Sequence, residues 1–322
     1  TYAPTAVSTS GLAVVFSIDA SSTAVCSISG GVITMLTMGT CTVNAGQPGD
    51  VNWLAATTVQ QSFTVDGLPQ SVSLTSGAPG TVSVTQSATI SASATSGLAV
   101  SYSIDPSSSN VCTIDSNGTI RFVGAGVCQV HSDQRGNGKY KSARKDTLIT
   151  VNALPQTLQW LSAIPATVYA NSSIAMDAQA SSSLPVTYSL GSGSSNNCSV
   201  DPVTGTVTFL SAGKCTVLAE QAGSSVYLAA TTLSTTWTVQ PTFQSITVSS
   251  VVPANAQVGD GGYTPVVSAS SGLTVVISVS GVCTVSRGVI SFTAVGTCTI
   301  TYSQAGTSAY SPAASVIQTV SV

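Results

Sequence analysis

Residues able to do chemistry are sparse in this chain, and cysteine is the one type that recurs in a pattern. The eight cysteines form four pairs, Cys26 with Cys41, Cys112 with Cys128, Cys198 with Cys215 and Cys283 with Cys298, and no thiol is left over. Paired cysteines serve as disulfides or as metal ligands. A zinc site wants four ligands at close Cys-x-x-Cys or His spacings, and the chain has a single histidine, His131. The disulfide reading therefore leads, and no metal or cofactor is expected. It points to an oxidising compartment: secreted, periplasmic or at a cell surface.

Other chemistry finds little support. A hydrolytic triad would need His131, which lies in the strand-like run Val130-His131-Ser132-Asp133 and reads as a surface or half-buried strand residue. Glycoside cleavage needs two carboxylates facing each other, but the ten Asp and one Glu are scattered. Calcium would need several carboxylates at each junction between repeats, where only Asp66 stands. No catalytic residue is assigned, and the chain reads as a non-enzyme.

The elements that must position the cysteines are short strands. From Cys283 to Cys298 the chain reads as a strand, a tight turn, a second strand, another turn and the start of a third. From the first cysteine of each pair to the residue opening the second strand (Val32, Thr119, Thr206, Val289) the step is 6, 7, 8 and 6; from there to the second cysteine it is always 9. The variation is confined to a Gly-containing hairpin turn. A Gly two places before each second cysteine (Gly39, Gly126, Gly213, Gly296) marks the next turn. On this reading the bridge staples a local three-stranded meander and does not join two sheets.

Repeats set the domain count. A Ser-Gly-Leu turn at Ser10, Ser96 and Ser271 becomes Ser183-Leu184-Pro185 in the third copy, and an aromatic follows each second cysteine by 12 residues (Trp53, Tyr140, Tyr227, Tyr310), with Gly four places before it. One ring per copy at a fixed offset reads as a core or corner anchor rather than a ligand platform. Domains are expected at 1–66, 67–153, 154–240 and 241–322, joined by short proline-bearing junctions as a stiff rod. About seven short strands per copy and no helix-period stretch indicate antiparallel β-sandwiches. The fourth copy has some twenty residues, from Phe243 to Gly262, before Tyr263-Thr264-Pro265. The first copy has only the matching Tyr2-Ala3-Pro4, so domain one lacks its first strand: either the sequence is an excerpt of a longer protein, or a strand from elsewhere completes the domain.

Ser-Gly-Leu, Val-Cys-Thr-Val or Val-Cys-Ser-Ile, Gly-Thr-Cys-Thr-Val or Gly-Thr-Cys-Thr-Ile, and Gln-Ala-Gly-x-x-x-Tyr together make the chain resemble the tandem bacterial immunoglobulin-like repeats of large extracellular surface and fibre proteins. The resemblance spans essentially the whole chain. It implies an all-β tandem array of four immunoglobulin-like domains, each with one local disulfide, and is compatible with adhesins, stalks, fibres and the spacers of enzymes.

Only 6% of the residues are charged and the net charge is −3, which disfavours nucleic-acid and acidic-membrane partners. Mean hydropathy is +0.40, yet no apolar run reaches the roughly 18 residues of a membrane helix, so no membrane insertion is expected in this segment. Six of the eight basic residues lie in the second copy, five of them between Arg135 and Lys145. Arg135, Lys139, Lys141, Arg144 and Lys145 form a candidate contact patch for acidic groups of a neighbour, weighed against a solvated edge whose lysines block unwanted sheet pairing. The leading function is a structural, self-associating element of an extracellular filament, fibre or stalk. The alternatives are an adhesin with a cell-surface or glycan ligand, favoured if Trp160 and Trp237 line one face, and the spacer domains of a secreted enzyme.

Overall fold

A computed structural model describes residues 1–322. The chain divides into two compact units, Thr1–Leu154 and Pro155–Val322. Apart from two three-residue 3₁₀ turns, every regular element is a strand. The fold is all-β, built almost wholly of antiparallel sheets.

In the first repeat the strands are β1 (Val15–Ile18), β2 (Cys26–Ser29), β3 (Val32–Met35), β4 (Gly39–Gly46) and β5 (Val59–Val65). The second repeat has nine: β6 (Val72–Leu74), β7 (Thr81–Ser83), β8 (Ser87–Thr89), β9 (Ala92–Ala94), β10 (Ser101–Ile104), β11 (Cys112–Ile114), β12 (Thr119–Phe122), β13 (Gly126–Gln134) and β14 (Ala143–Asn152). One sheet has the order β10-β13-β14-β7, with β7 parallel to β14 and the other pairs antiparallel. The facing sheet is β11-β12-β8, and β6 pairs with β9 alongside. Alternation along the strands sets what faces inward: Ile120 and Phe122 are buried around the exposed Arg121, and Ile149 and Val151 around Thr150.

The disulfides cross between these sheets. Cys112 lies on β11 and Cys128 on β13, with sulfurs 1.95 Å and Cα atoms 5.8 Å apart. The first repeat does the same from β2 to β4, and Cys198–Cys215 and Cys283–Cys298 follow suit. The expected meander is therefore wrong: the first two strands form a hairpin in one sheet, and the third belongs to the other. The glycine two places before the second cysteine shows why the chain can cross there. Gly39, Gly126, Gly213 and Gly296 have φ of 145°, 143°, 139° and 144°, a conformation L side chains rarely adopt. A Cβ on them would fall 2.7, 3.0, 2.6 and 3.0 Å from Val25, Val111, Asn197 and Val282, each the residue before a first cysteine. The glycine lets the two sheets approach where the bridge is made.

The count of about seven strands per copy is met in the fourth repeat, while the second and third have nine each and the first has five. The sequence of the first repeat begins at the place of β8. A single antiparallel bridge, Tyr2 to Ile33, stands where Ala88 meets Ile120 in the second repeat and Tyr263 meets Ile290 in the fourth. Its fully enclosed core is correspondingly small: Cys26, Ile33, Cys41 and Val43.

Two predictions follow from these elements. A bridge closing a loop of this length contributes about 3 kcal/mol in the chain-entropy model. Calorimetry of the Cys112→Ala/Cys128→Ala chain should show one transition moved down by on the order of 15 °C, and an unmoved thermogram would refute an essential cross-sheet role. The second concerns acid. Hydrogen bonds from Ser21 hold the carboxyl of Asp19 below its ordinary pKa, those from Ser107 do so for Asp105, the Thr119 N–H for Asp115, and the Thr204 and Val203 N–H groups for Asp201. A depressed folded-state pKa means stability fully present above the ordinary Asp value of about 3.9 and lost as pH falls below that value and through the folded-state pKa. The melting temperature should hold from neutrality to about pH 5 and drop below about pH 4, and the drop should shrink in Asp115→Asn/Asp201→Asn.

Candidate functional site

The loop that carries the fixed aromatic builds a junction. In the second repeat Gln134 ends β13, and its side-chain carbonyl accepts from the N–H of Gly136. Gly136 has φ +78°, and a Cβ on it would lie 2.5 Å from the carbonyl oxygen of Tyr140. The Asn137 N–H donates to that carbonyl (3.0 Å), and Asn137 Oδ1 accepts from the N–H groups of Lys139 and Tyr140. The spacing Gly-x-x-x-aromatic is thus the signature of a closed loop, and Tyr140 is a half-buried corner residue outside the core. Tyr227 and Tyr310 are also half-buried, whereas Trp53 is 53% exposed.

Within the first unit this loop holds the opening residues of its own repeat and touches the preceding one. The Leu68 N–H donates to Lys139 O and the Lys141 N–H to Leu68 O, at 2.8 and 2.9 Å. The Met38 N–H, just before the crossing glycine of repeat one, donates to Gly138 O at 2.8 Å. The second unit repeats all three bonds, with Thr242 between Ala309 and Ser311 and the Ala212 N–H donating to Ser308 O at 2.6 Å. Thr242 also donates its hydroxyl to Ala170 O, and Phe243 packs on Tyr169 at 5.8 Å between ring centroids. Because backbone groups make the shared contacts, Leu68 and Thr242 can differ in type and still perform one task. That is also why composition and spacing did not reveal them.

A glutamine clamp seats the strand after each junction. Gln70 donates to Gln134 Oε1 and to Lys141 O and accepts from the hydroxyl of Ser96, the serine of the Ser-Gly-Leu turn. Gln156 makes the same set with Gln221, Leu228 O and Ser182, and Gln244 with Gln304, Ser311 O and Ser271. The signal was legible as a Gln six residues after every second cysteine, the first residue of the Gln-Ala-Gly-x-x-x-Tyr pattern, and another Gln just inside each linker.

The basic cluster is partly spent inside the chain. Lys141 Nζ sits 2.8 Å from Asp66 Oδ2 across the first junction, Arg144 grips Asp133 through both carboxylate oxygens at 2.6 and 3.1 Å, and Lys139 lies over the Tyr140 ring at 5.4 Å. Arg135 and Lys145 are exposed. The acidic neighbour of Lys141 is therefore the adjoining repeat of its own chain, and Asp66 is engaged by a lysine.

His131 is buried rather than surface or half-buried. Its Nδ1 lies 2.6 Å from Asp146 Oδ1 and its Nε2 3.5 Å from Asp105 Oδ2. With both ring nitrogens facing carboxylates, neither is left to activate a hydroxyl. Trp237 is buried, donates its indole N–H to Pro165 O and meets Phe209 edge-on. Trp160 stacks on Tyr188 at 6.4 Å and packs against the third repeat's core. These rings are core elements, not a sugar platform.

Repeat one presents an open apolar face. A groove of about 940 Å³ runs between the Tyr2–Ser10 segment and β4–β5, lined among others by Val14, Phe16, Val43, Leu54, Val59 and Phe63. All of its lining residues are uncharged.

No family model matches this chain, and no curated protein sequence does. Searched against solved structures, it is similar to Drosophila N-cadherin domains EC1–4 (14% identity, TM-score 0.26, covering 95% of this chain and 91% of that one). It is also similar to the human desmocollin-1 ectodomain (11%, 0.29, 92% and 69%) and to domains 4–9 of the surface layer protein SbsC (14%, 0.24, 96% and 57%). Scores this low carry no argument about activity, partners or the placing of one domain on the next.

Proposed function

We propose that the chain is a non-enzymatic structural protein: four immunoglobulin-like domains, 1–66, 67–153, 154–240 and 241–322, that build an extracellular filament, fibre or surface stalk by self-association. The observation that carries this reading is the junction used identically in both units, with the Leu68 and Met38 backbone bonds repeated at Thr242 and Ala212. A bond set made by backbone, independent of side-chain identity, suits a part whose task is to be added end to end. A covalent cross-sheet bridge in every repeat suits a protein that works in an oxidising environment outside the cell. The low charge favours close lateral packing, since few ionic groups must be desolvated when surfaces meet. His131, held between Asp105 and Asp146, fits a structural role better than a catalytic one.

Electron microscopy of native, unreduced material tests the reading. Four extended domains of about 40 Å each predict ordered fibres with an axial repeat on the order of 150 Å, which should survive raised salt because few charges hold them. Isolated particles bearing a distinct head would refute it and move the function to the head.

A further inference from the structure

A groove of about 620 Å³ lies in the second repeat at one end of the β10-β13-β14 sheet. Strand register sets Ser101, Asp133 and Arg144 in one row across the three strands. Arg135 stands just past the end of β13 and Ser142 just before the start of β14, and both line the groove with Ser103 and Gln134.

The lining is rich in donors that the chain itself does not use. Arg144 holds Asp133 through Nε and Nη2, which fixes the plane of its guanidinium and leaves Nη1 unpaired. Arg135 is exposed and forms no ion pair. Gln134 is 7% exposed; its side-chain carbonyl accepts from Gly136 and Gln70, while its amide N–H groups have no partner. Asp133 is the one acidic side chain of the groove, and Arg144 neutralises it. Two guanidiniums against one carboxylate leave the groove positive.

The architecture of a repeat does not account for these arginines. The residue after the loop-shaping glutamine is Pro48, Ala222 or Ala305 in the other repeats, and their loops accept from Gly49, Gly223 and Gly306 just as this one accepts from Gly136. Outside the second repeat the whole chain has only Lys214 and Arg287 as basic residues. Nor do the arginines guard a sheet edge, because β13 and β14 are inner strands.

We propose that this groove binds a sugar residue bearing a carboxylate, the repeating unit of an acidic glycan. Arg135 takes the carboxylate, and the free Nη1 of Arg144 supplies a second cationic donor. The ring hydroxyls exchange hydrogen bonds with Ser103, Ser142, the Gln134 amide and the Asp133 carboxylate. Net positive charge selects an anion. The mixture of hydroxyls, an amide and one carboxylate selects a ligand that carries many hydroxyls, which donate as well as accept, over a lone carboxylate on an apolar stem. A second copy of this chain is a poor source of the anion, since its ten Asp and one Glu are scattered. The site lies within one repeat and is complete in one chain, so it stands apart from the fibre reading.

The test titrates the full chain with sodium glucuronate, glucose and N-acetyl-glutamate amide, following the arginine side-chain N–H resonances by NMR. Glucuronate should shift those of Arg135 and Arg144 saturably and bind about tenfold more tightly than either other probe, because it alone offers both a carboxylate and ring hydroxyls. Arg135→Ala should cost about tenfold in glucuronate affinity at an unchanged melting temperature, since Arg135 supports no contact of the fold. Ser103→Ala should weaken glucuronate and leave the glutamate amide as it was, which separates hydroxyl recognition from bare charge attraction. Absence of binding, equal affinity for glucose, or an Arg135→Ala chain that binds like the parent overturns the site. Equal affinity for the glutamate amide overturns the sugar assignment and gives the groove to an acidic protein segment.

Discussion

A sulfur bridge between facing sheets is what the rest of each repeat depends on, because the strands around it are too short to hold two sheets together alone. Several are three residues long, and isolated pairs of that size are marginal in water. The bridge ties the open end of the hairpin, where Cys112 pairs with Phe122, to an inner strand of the opposite sheet, and the glycine two residues upstream of the second cysteine removes the Cβ that would keep the sheets apart. Against a net domain stability typically of about 5–15 kcal/mol, a contribution of about 3 kcal/mol is a large share. It matters most in repeat one, where two of the four fully enclosed hydrophobic residues are the cysteines themselves.

With the sheets pinned, the ends of the strands are free to serve the neighbouring repeat. The strand carrying the second cysteine runs from its glycine at one end to a glutamine at the other. In repeats one and three the residue before the glycine donates to the following repeat, and in repeats two and four the glutamine shapes the loop that receives that bond. The bridge fixes the strand's position against the opposite sheet, so the spacing of cysteine, glutamine and aromatic can be kept constant while the hairpin turn varies in length.

The cysteine pairs, the hairpins between them and the repeat count were legible because each rests on local spacing. The crossing of the bridge between sheets was not, since a hairpin followed by a crossing strand and a three-stranded meander have the same alternation and the same turn residues; only the partner of the third strand differs, and that is a non-local fact. The aromatic positions were legible as a fixed offset, but the carbonyl of Tyr140, which closes the loop on Gly136, was not, because a backbone group leaves no mark in residue type. His131 was read as peripheral because alternation places it on the outward face of β13. Asp105 and Asp146 from flanking segments cover it there, and sequence distance hides both. Leu68 and Thr242 share no side-chain chemistry, so their common role lay beyond any reading of residue type.

The parts of a repeat divide by how they are held. The bridge and the glutamine-shaped loop lie on strands where a covalent bond fixes one sheet against the other. The opening strand of repeats two, three and four carries no cysteine and is held by the glutamine clamp and a three-residue pairing instead, as Val72–Leu74 on Ala92–Ala94. Gln70 stands two residues after Leu68, so the residue that bonds to the loop and the residue that clamps Gln134 share one short stretch. The Gln134 carbonyl that accepts from Gly136 and shapes the loop also accepts from Gln70, which makes one side chain the anchor of both. Loss of that side chain would loosen the loop and the opening strand together and leave the bridged sheets in place.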